Sequence, residues 1–582
     1  MSGFHNFDRE PAVQVSTQAA DCMQGWQEIF SHLKLHIPPG MSYTIALECY
    51  PGVFLQPLAA KLQTAFPDAI VISVDSAYCD NETLRTRFQP ALTDDPVFGV
   101  MQFRDIKEFF DECRVAKLKE EVGAAGGVKI LLGTGTHHIA PNPDLLLHAS
   151  VTRWELQRRQ RAHLIGNLGF NNPEDPPSML YKGAFFLEWR TADSIRHTLY
   201  PKIDYFLDLD DQETPRMLAG ELLRKAVAMT VQRPFRVAPF FDPGPWGGQW
   251  MRETFDLPDG PPNYAWCFDC VPEENSVTFG FGARRFRLPA ITLVHEQPVP
   301  LLGKTVYERF GAEFPIRFDL LDTVGGGNLS LQVHPLTQYI QEHFGMAYTQ
   351  DESYYILDCL EGSQLYLGLQ AGIDRDQMKS DLEAAQAGDM LFPVERYVNL
   401  WPTHKHDHFS IPAGTVHCSG SGNLVLEISA TPYIFTFKLW DWGRVGLDGR
   451  PRPIHLQHGL QNIQWNRDTA WVERELLDQV QPIASGAGWR EERTGLHAGE
   501  FIETRRTWFT DAVTHDTEGN LHVLNLVEGE AAVVESPTGA FLPFKIHYAE
   551  TFIVPAAVGA YTVRPAGRAD RPHATIKAFV RA

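Results

Sequence analysis

The sequence predicts a multidomain protein, with an α/β domain at the N-terminus followed by mainly-β domains that carry a small helical insertion. Three observations predict it. Residues 1–235 contain near-continuous apolar runs of strand length separated by helical stretches, the pattern of a parallel sheet covered on both faces. Beyond about residue 240 the strands are short and many, with Gly and Pro turns between them, as in barrels and sandwiches. Between the two regions lies the proline-rich linker QRPFRVAPFFDPGP, residues 232–245. A chain of 582 residues is long enough for three or four domains. The expected divisions are 1–235, 236–483 and 484–582.

Composition narrows the function classes. The chain is 44% hydrophobic and 21% charged, an ordinary globular balance, with a net charge of −21. That charge argues against general binding to nucleic acid or anionic membranes, which needs basic patches. It leaves room for a sugar phosphate, since a few local cations suffice for one phosphate. The segment MSGFHNFDREPAVQVSTQ has no apolar core of a secretory signal, and no apolar run approaches membrane-spanning length. Among eight cysteines only Cys267 and Cys270 form a CxxC, in a stretch that alternates like a strand. They are expected to be reduced structural thiols, and the protein cytoplasmic.

In chain order, MSYTIALECY (41–50) is the first buried strand, and PGVFLQPLAAKLQTAF a turn and helix. AIVISVDSAY and GVKILLGTGT (127–136) are the next strands, and KIDYFLDLD another, with a helix from about Glu213. The order strand, Pro-Gly turn, helix, strand ending in Asp75-Ser76, with DDPVFGVMQFRDIKEFFDEC and WELQRRQRA, resembles P-loop kinases of the uridine-kinase type. A working P-loop reads GxxxxGK[ST], because its amides and lysine cradle phosphates. Here the turn runs from Glu48 to Gln56, with Phe54 and Leu55 in place of lysine and hydroxyl. The expectation is a degenerate, P-loop-kinase-like scaffold without ATP activity. Arg153, Arg158, Arg159 and Arg161 are expected on a solvated helix face.

The most informative stretch is LSLQVHPLTQYIQEHFGMAYTQDESYYILD, Leu329 to Asp358. Alternation places Gln332 and His334 on one face of a strand. Glu352 opens a second strand. FSIPAGTVH ends in His417, with Pro412 and Gly414 setting the turn before it. Two imidazoles, a carboxylate and an amide oxygen form a zinc-type set with a position left for water or substrate.

LSLQVHP, the Glu ahead of YYILD, IPAGTVH, LVLE and LWDWGR together resemble the type I mannose-6-phosphate isomerases, which are zinc-dependent cupins. PWGGQWMRETF, LLGKTVYERFGAEFPIRFDLLD and GRPRPIHLQHGLQ extend the resemblance from about Phe240 to the C-terminus. It implies Zn2+ held by Gln332, His334, Glu352 and His417, an active-site arginine at Arg444, and interconversion of mannose-6-phosphate and fructose-6-phosphate. Three positions depart from the family. Gln350 stands where many members have a lysine, Leu336 follows His334-Pro335 where Asp is frequent, and Asn263-Tyr264-Ala265-Trp266 replaces GExW. Lys405 and Lys438 are candidate replacements for the missing cation.

Three further segments complete the reading. Asp374 caps a helix with Gln377 three residues on and Gly388 as its stop. In THKHDHF, His404, His406 and His408 would share a face if the segment were a strand, but a rim role is expected. From about Gly486 the strands resemble a second cupin. It reads Pro555-Ala556-Ala557-Val558-Gly559-Ala560-Tyr561 where the first has PAGTVH, and His522 and His547 lack matching partners, so no metal is expected there. Beside the isomerase, two other functions are open: a non-catalytic sugar-binding or regulatory protein fused to a pseudo-kinase domain, and an isomerase of a non-phosphorylated sugar.

Overall fold

The computed structural model describes residues 5–430, 433, 435–447, 449, 452–567 and 571–581. Arg450 and Pro451 of the GRPRPIHLQHGLQ stretch lie outside the described residues.

The N-terminal region is built on a seven-stranded sheet. Ile70–Ser73, Val128–Gly133, Tyr43–Cys49, Leu145–Ser150 and Tyr205–Asp208 are parallel neighbours in that spatial order, followed by antiparallel Arg216–Ala219 and the short edge strand Met23–Gln24. The strand order reverses at Tyr43–Cys49, the middle one of the five parallel strands, whose last five residues are all buried. The turn after it carries Gly52 at φ 99°, a conformation that disfavours a side chain. Helix Leu55–Ala65 begins after Phe54 without a side-chain cap. Arg159 lies over the Phe54 ring at 4.5 Å and donates to the Gly52 carbonyl at 2.8 Å.

This corrects the expectation of a solvated arginine face. Arg158 and Arg161 do face solvent, but Arg153 and Arg159 are buried. Arg159 serves main-chain carbonyls, those of Leu209 and Asp210 among them. Arg153 bridges Asp193 and Glu273, so it joins helix Trp189–Leu199 to the middle of the chain. A buried guanidinium survives only with such partners.

The middle of the chain forms two antiparallel sheets. One runs His408–Ile411, Glu352–Cys359, Asn423–Ser429, Arg317–Asp322, Trp266–Cys270, Phe240–Asp242. The other runs Val398–Pro402, Gln364–Leu369, His417–Ser419, Leu331–Val333, Phe437–Trp440. Both sheets contribute to one apolar core cluster that includes Leu331, Val333, Tyr354, Ile356, Leu367 and Val425. Helix Arg375–Ala387 is the expected insertion; Asp374 accepts from the Asp376 and Gln377 amides, and Gly388 ends it at φ 87°. The capping box is only half formed, because the Gln377 amide donates to Asp381 instead. Cys267 and Cys270 are buried free thiols. The C-terminal residues form a six-stranded and a four-stranded sheet around a small core of their own.

One strand crosses the expected boundary at residue 235. Val13–Ser16 pairs in parallel with Ser276–Phe281. Among the described residues no helix is long and apolar enough to cross a membrane.

Candidate metal centre

Four side chains named from the sequence converge between the two middle sheets. Gln332 and His417 are directly paired across neighbouring strands, so their side chains share a face. Their amide nitrogen and Nε2 lie 3.2 Å apart. His334 follows two residues on, and Glu352 enters from the opposing sheet. All four are buried, Gln332 at 6% exposure and the others at 1% or less. One ligand atom each from His334, Glu352 and His417 lies within 4.8 Å of the others.

The proton positions show what the cluster is built for. His334 Nδ1 donates to the Phe435 carbonyl at 2.8 Å, and His417 Nδ1 to the Thr415 carbonyl at 2.9 Å. These bonds fix both neutral rings with a bare lone pair on Nε2. The Nε2 atoms point at the Glu352 carboxylate, His417 at 2.8 Å and His334 at 3.2 Å. Neither His334 Nε2 nor Glu352 Oε1 makes a hydrogen bond there, although both are fully buried. Lone pairs facing lone pairs in a dry interior are costly unless a cation lies between them. The donor set therefore fits a divalent metal. With no cation there the same geometry favours a proton in its place: against burial, His334 and His417 hold the Glu352 carboxyl well below the usual range, and Glu352 raises His334.

Around this set stand other polar groups. Gln350, at the family's lysine position, is bound at both ends: its amide donates to Glu352 at 3.0 Å and its oxygen accepts from Phe435 N–H at 3.1 Å. Glu427 is paired in register with Tyr354 and with Asp319, and lies 3.5 Å from the Gln350 amide. Burial pushes its carboxyl well above the ordinary value, with Glu352 and Asp319 adding to the effect and Arg317 opposing it. Sequence reasoning did not give Glu427 a role, though it closes the LVLE run as a carboxylate within the mostly apolar strand Asn423–Ser429.

The candidate cations separate. Lys405 pairs with Glu528 in the C-terminal region and does not serve the site. Lys438 is paired in register with Gln332 across a bulge, so it shares the face of a metal-site residue. Burial pushes its ammonium down to about 7, Arg452 and Arg444 add repulsion, and Asp441 opposes them. Arg444 donates to Asp441 Oδ1 at 3.1 and 2.8 Å, and Arg452 donates to Asp441 Oδ2 at 2.8 Å and to Ser330 at 3.1 Å. Ser330, two residues before Gln332, also donates to Asp441. Three cations thus surround one carboxylate beside the Gln332 strand.

The three histidines of THKHDHF have separate partners. His404 is exposed beside Asp407, His406 links Tyr355 to Glu528, and His408 is buried between Ser353 and Thr494.

The chain is homologous to mannose-6-phosphate isomerases over about 40% of its length. It is 27% identical over 232 residues to Mannose-6-phosphate isomerase ManA of Bacillus subtilis, spanning 40% of this chain and 68% of that protein. It is 24% identical over 246 residues to the Mannose-6-phosphate isomerase of Streptococcus mutans, spanning 41% and 72%. The crystal structure of the mannose 6-phosphate isomerase from Bacillus subtilis superposes with a TM-score of 0.48 at 19% identity, covering 60% of this chain and 99% of that one. Residues 25–232 match a Domain of unknown function (DUF8485).

Proposed function

We propose that the protein is a zinc-dependent aldose–ketose isomerase of the cupin class, interconverting mannose-6-phosphate and fructose-6-phosphate. The observation that carries this reading is the pair of Nε2 atoms aimed at Glu352 from rings whose Nδ1 atoms are held by main-chain carbonyls. His334, His417, Glu352 and the Gln332 amide would hold the zinc, a donor set of nitrogen and oxygen ligands suited to that ion. Bound there, it supplies positive charge beside the sugar's O1 and O2 as an enediolate develops.

The remaining work falls to side chains of this chain. Glu427, whose carboxyl burial pushes well above its ordinary value, is the group we assign to proton exchange between C1 and C2. Lys438, Arg444 and Arg452, against the single carboxylate of Asp441, provide the excess positive charge that a phosphate needs, and the forks of the two arginines suit its oxygens. Arg444 is thereby a site residue shared with Asp441, and Lys438 is the cation that takes over from the family lysine. The buried walls exclude water, which strengthens each of these interactions.

The deciding experiment is exchange of the C2 proton of mannose-6-phosphate with solvent, followed by NMR, before and after chelation. Exchange that stops on chelation and returns with zinc is expected. If untreated protein shows no exchange, the second reading takes over: a sugar-binding or regulatory protein, which the replacement of lysine by Gln350 favours. Turnover of mannose but not its phosphate points instead to an isomerase of non-phosphorylated sugars.

For the N-terminal region we propose a P-loop-kinase-like scaffold over residues 1–235 that neither binds nor hydrolyses ATP, since Phe54 and Leu55 stand in the turn where a phosphate-binding lysine and hydroxyl are required. Titration with Mg-ATP should release no binding heat. The remaining divisions proposed are 236–483 for the metal-binding cupin and 484–582 for a metal-free second cupin.

A further inference from the structure

A cavity of about 310 Å³ lies in the N-terminal region between helix Asn81–Leu92, helix Pro177–Gly183 and the loop at residues 165–175. The isomerase reading does not use it. Two backbone irregularities border it. Thr93, at the end of the first helix, has φ 49° and ψ 177°, a combination that β-branched residues almost never adopt. Helix Pro177–Gly183 continues into a π-helical turn, Ala184–Glu188, a rare form that concentrates at functional sites. That turn places the buried carboxyl of Glu188 in the cavity wall, where it accepts from Leu168 N–H at 2.6 Å.

The chemistry of the wall selects the ligand. Its two cations are already engaged: Arg85 pairs with Asp175 at 3.7 Å, and Lys182 donates to the Thr93 and Asp95 carbonyls. Glu188 and Asp94 remain as acceptors, beside the rings of Phe109 and Phe170. Three acidic side chains, Asp94, Asp175 and Glu188, against two basic ones leave the wall short of positive charge for a phosphate and rich in acceptors for hydroxyl protons, while ring faces pack against the C–H face of a sugar.

From the cavity a short path of direct contacts reaches the metal centre. Thr93 Oγ1 donates to the Phe98 carbonyl at 2.6 Å, and Asp95 accepts from the amides of Val97 and Phe98, both at 2.7 Å. Phe98, 1% exposed, stacks on Phe435 with centroids 5.7 Å apart and planes at 13°. The carbonyl of Phe435 holds the His334 ring, and its N–H holds Gln350.

We propose that this cavity binds an unphosphorylated monosaccharide and that Phe98 couples its occupancy to the metal centre. The coupling, unlike the site itself, rests on the metal-binding reading above.

The test of the site uses metal-stripped full-length protein, so that the metal centre cannot supply the signal. Calorimetric titration with D-mannose, D-glucose and D-fructose should show one hexose bound per chain. Glu188→Gln should weaken that binding roughly tenfold or more, the effect of losing a charge-assisted hydrogen bond. Met179→Trp, which fills the cavity from its exposed rim, should abolish it with the fold intact by circular dichroism. No heat with any of the three hexoses, or binding that survives both substitutions, overturns the site. The coupling is read as the rate of zinc loss to a chelator. The hexose should change that rate roughly fivefold or more in the wild type, and not in Phe98→Leu, which should still bind the hexose. Equal rates with and without hexose in the wild type overturn the coupling. A protein that takes up no zinc overturns the metal centre and the coupling together, and leaves the hexose titration to decide the cavity by itself.

Discussion

At the level of single side chains, His334 and His417 work because each gives its one proton to a main-chain carbonyl and keeps the other nitrogen bare. His334→Ala removes one of the two bare nitrogens, so elemental analysis should find about one zinc per chain in the wild type and little in the variant. Stoichiometric zinc in the variant would place the metal elsewhere. The two flanking cations should differ in effect. Lys438 faces the site from the strand paired with Gln332, whereas Arg444 is tied to Asp441. Lys438→Met should lower kcat/KM by about two to three orders of magnitude, the usual effect of losing a positioned charge in a dry site, and Arg444→Ala by about tenfold, with zinc content unchanged in both. Equal losses in the two variants would refute this ranking. The convergence of Gln332, His334 and His417 was legible in the sequence because strand alternation places Gln332 and His334 on one face, and a Pro-Gly turn delivers His417. Lys438 was legible only as a candidate, since its place depends on a strand pairing and a bulge that no local pattern reveals. Gln350 looks in sequence like a simple loss of charge. In the structure it donates to Glu352 and accepts from Phe435, and lysine cannot accept.

At the level of elements, the loop that follows helix Asn81–Leu92 is fastened by a single carboxylate. Burial would raise the Asp95 carboxyl, but His458 and the amides of Phe98 and Val97 hold it down at about 2. A depressed carboxyl contributes stability that is fully present above its unfolded value, about 3.9, and is lost as pH falls toward the folded one. Between about pH 4 and pH 2, wild-type stability should therefore fall more steeply than that of Asp95→Asn. Parallel melting curves across that window would remove Asp95 as the fastener. The DDPVFG segment reads in sequence as part of the N-terminal domain, which it is by connection. Its packing on Phe344, Phe435 and Phe437 is a long-range contact, and apolar residues in a loop do not announce their partner. Helix Arg375–Ala387 is the opposite case, bounded by Asp374 and Gly388, because capping chemistry is local.

At the level of the whole molecule, the α/β region and the facing sheets share buried charge. Arg153 meets Asp193 and Glu273, Arg190 also meets Glu273, and Arg196 meets Asp193. Arg153→Met leaves buried Asp193 to Arg196 and Tyr50, and buried Glu273 to Arg190, and should lower unfolding stability by about 3 kcal/mol, seen as a lower urea midpoint. A midpoint within error of the wild type would mean that the other arginines suffice. The Val13–Ser16 strand adds a demand of another kind, on the order of events during synthesis. Its partner residues begin at Phe279. A ribosome adding about 5–20 residues per second needs on the order of tens of seconds to reach them. Until then this strand lacks its parallel neighbour, and it finds its place long after it has been made. Arrested nascent chains that end before residue 276 should thus be cut by protease near Val13, while chains long enough to expose Phe281 outside the ribosome should resist.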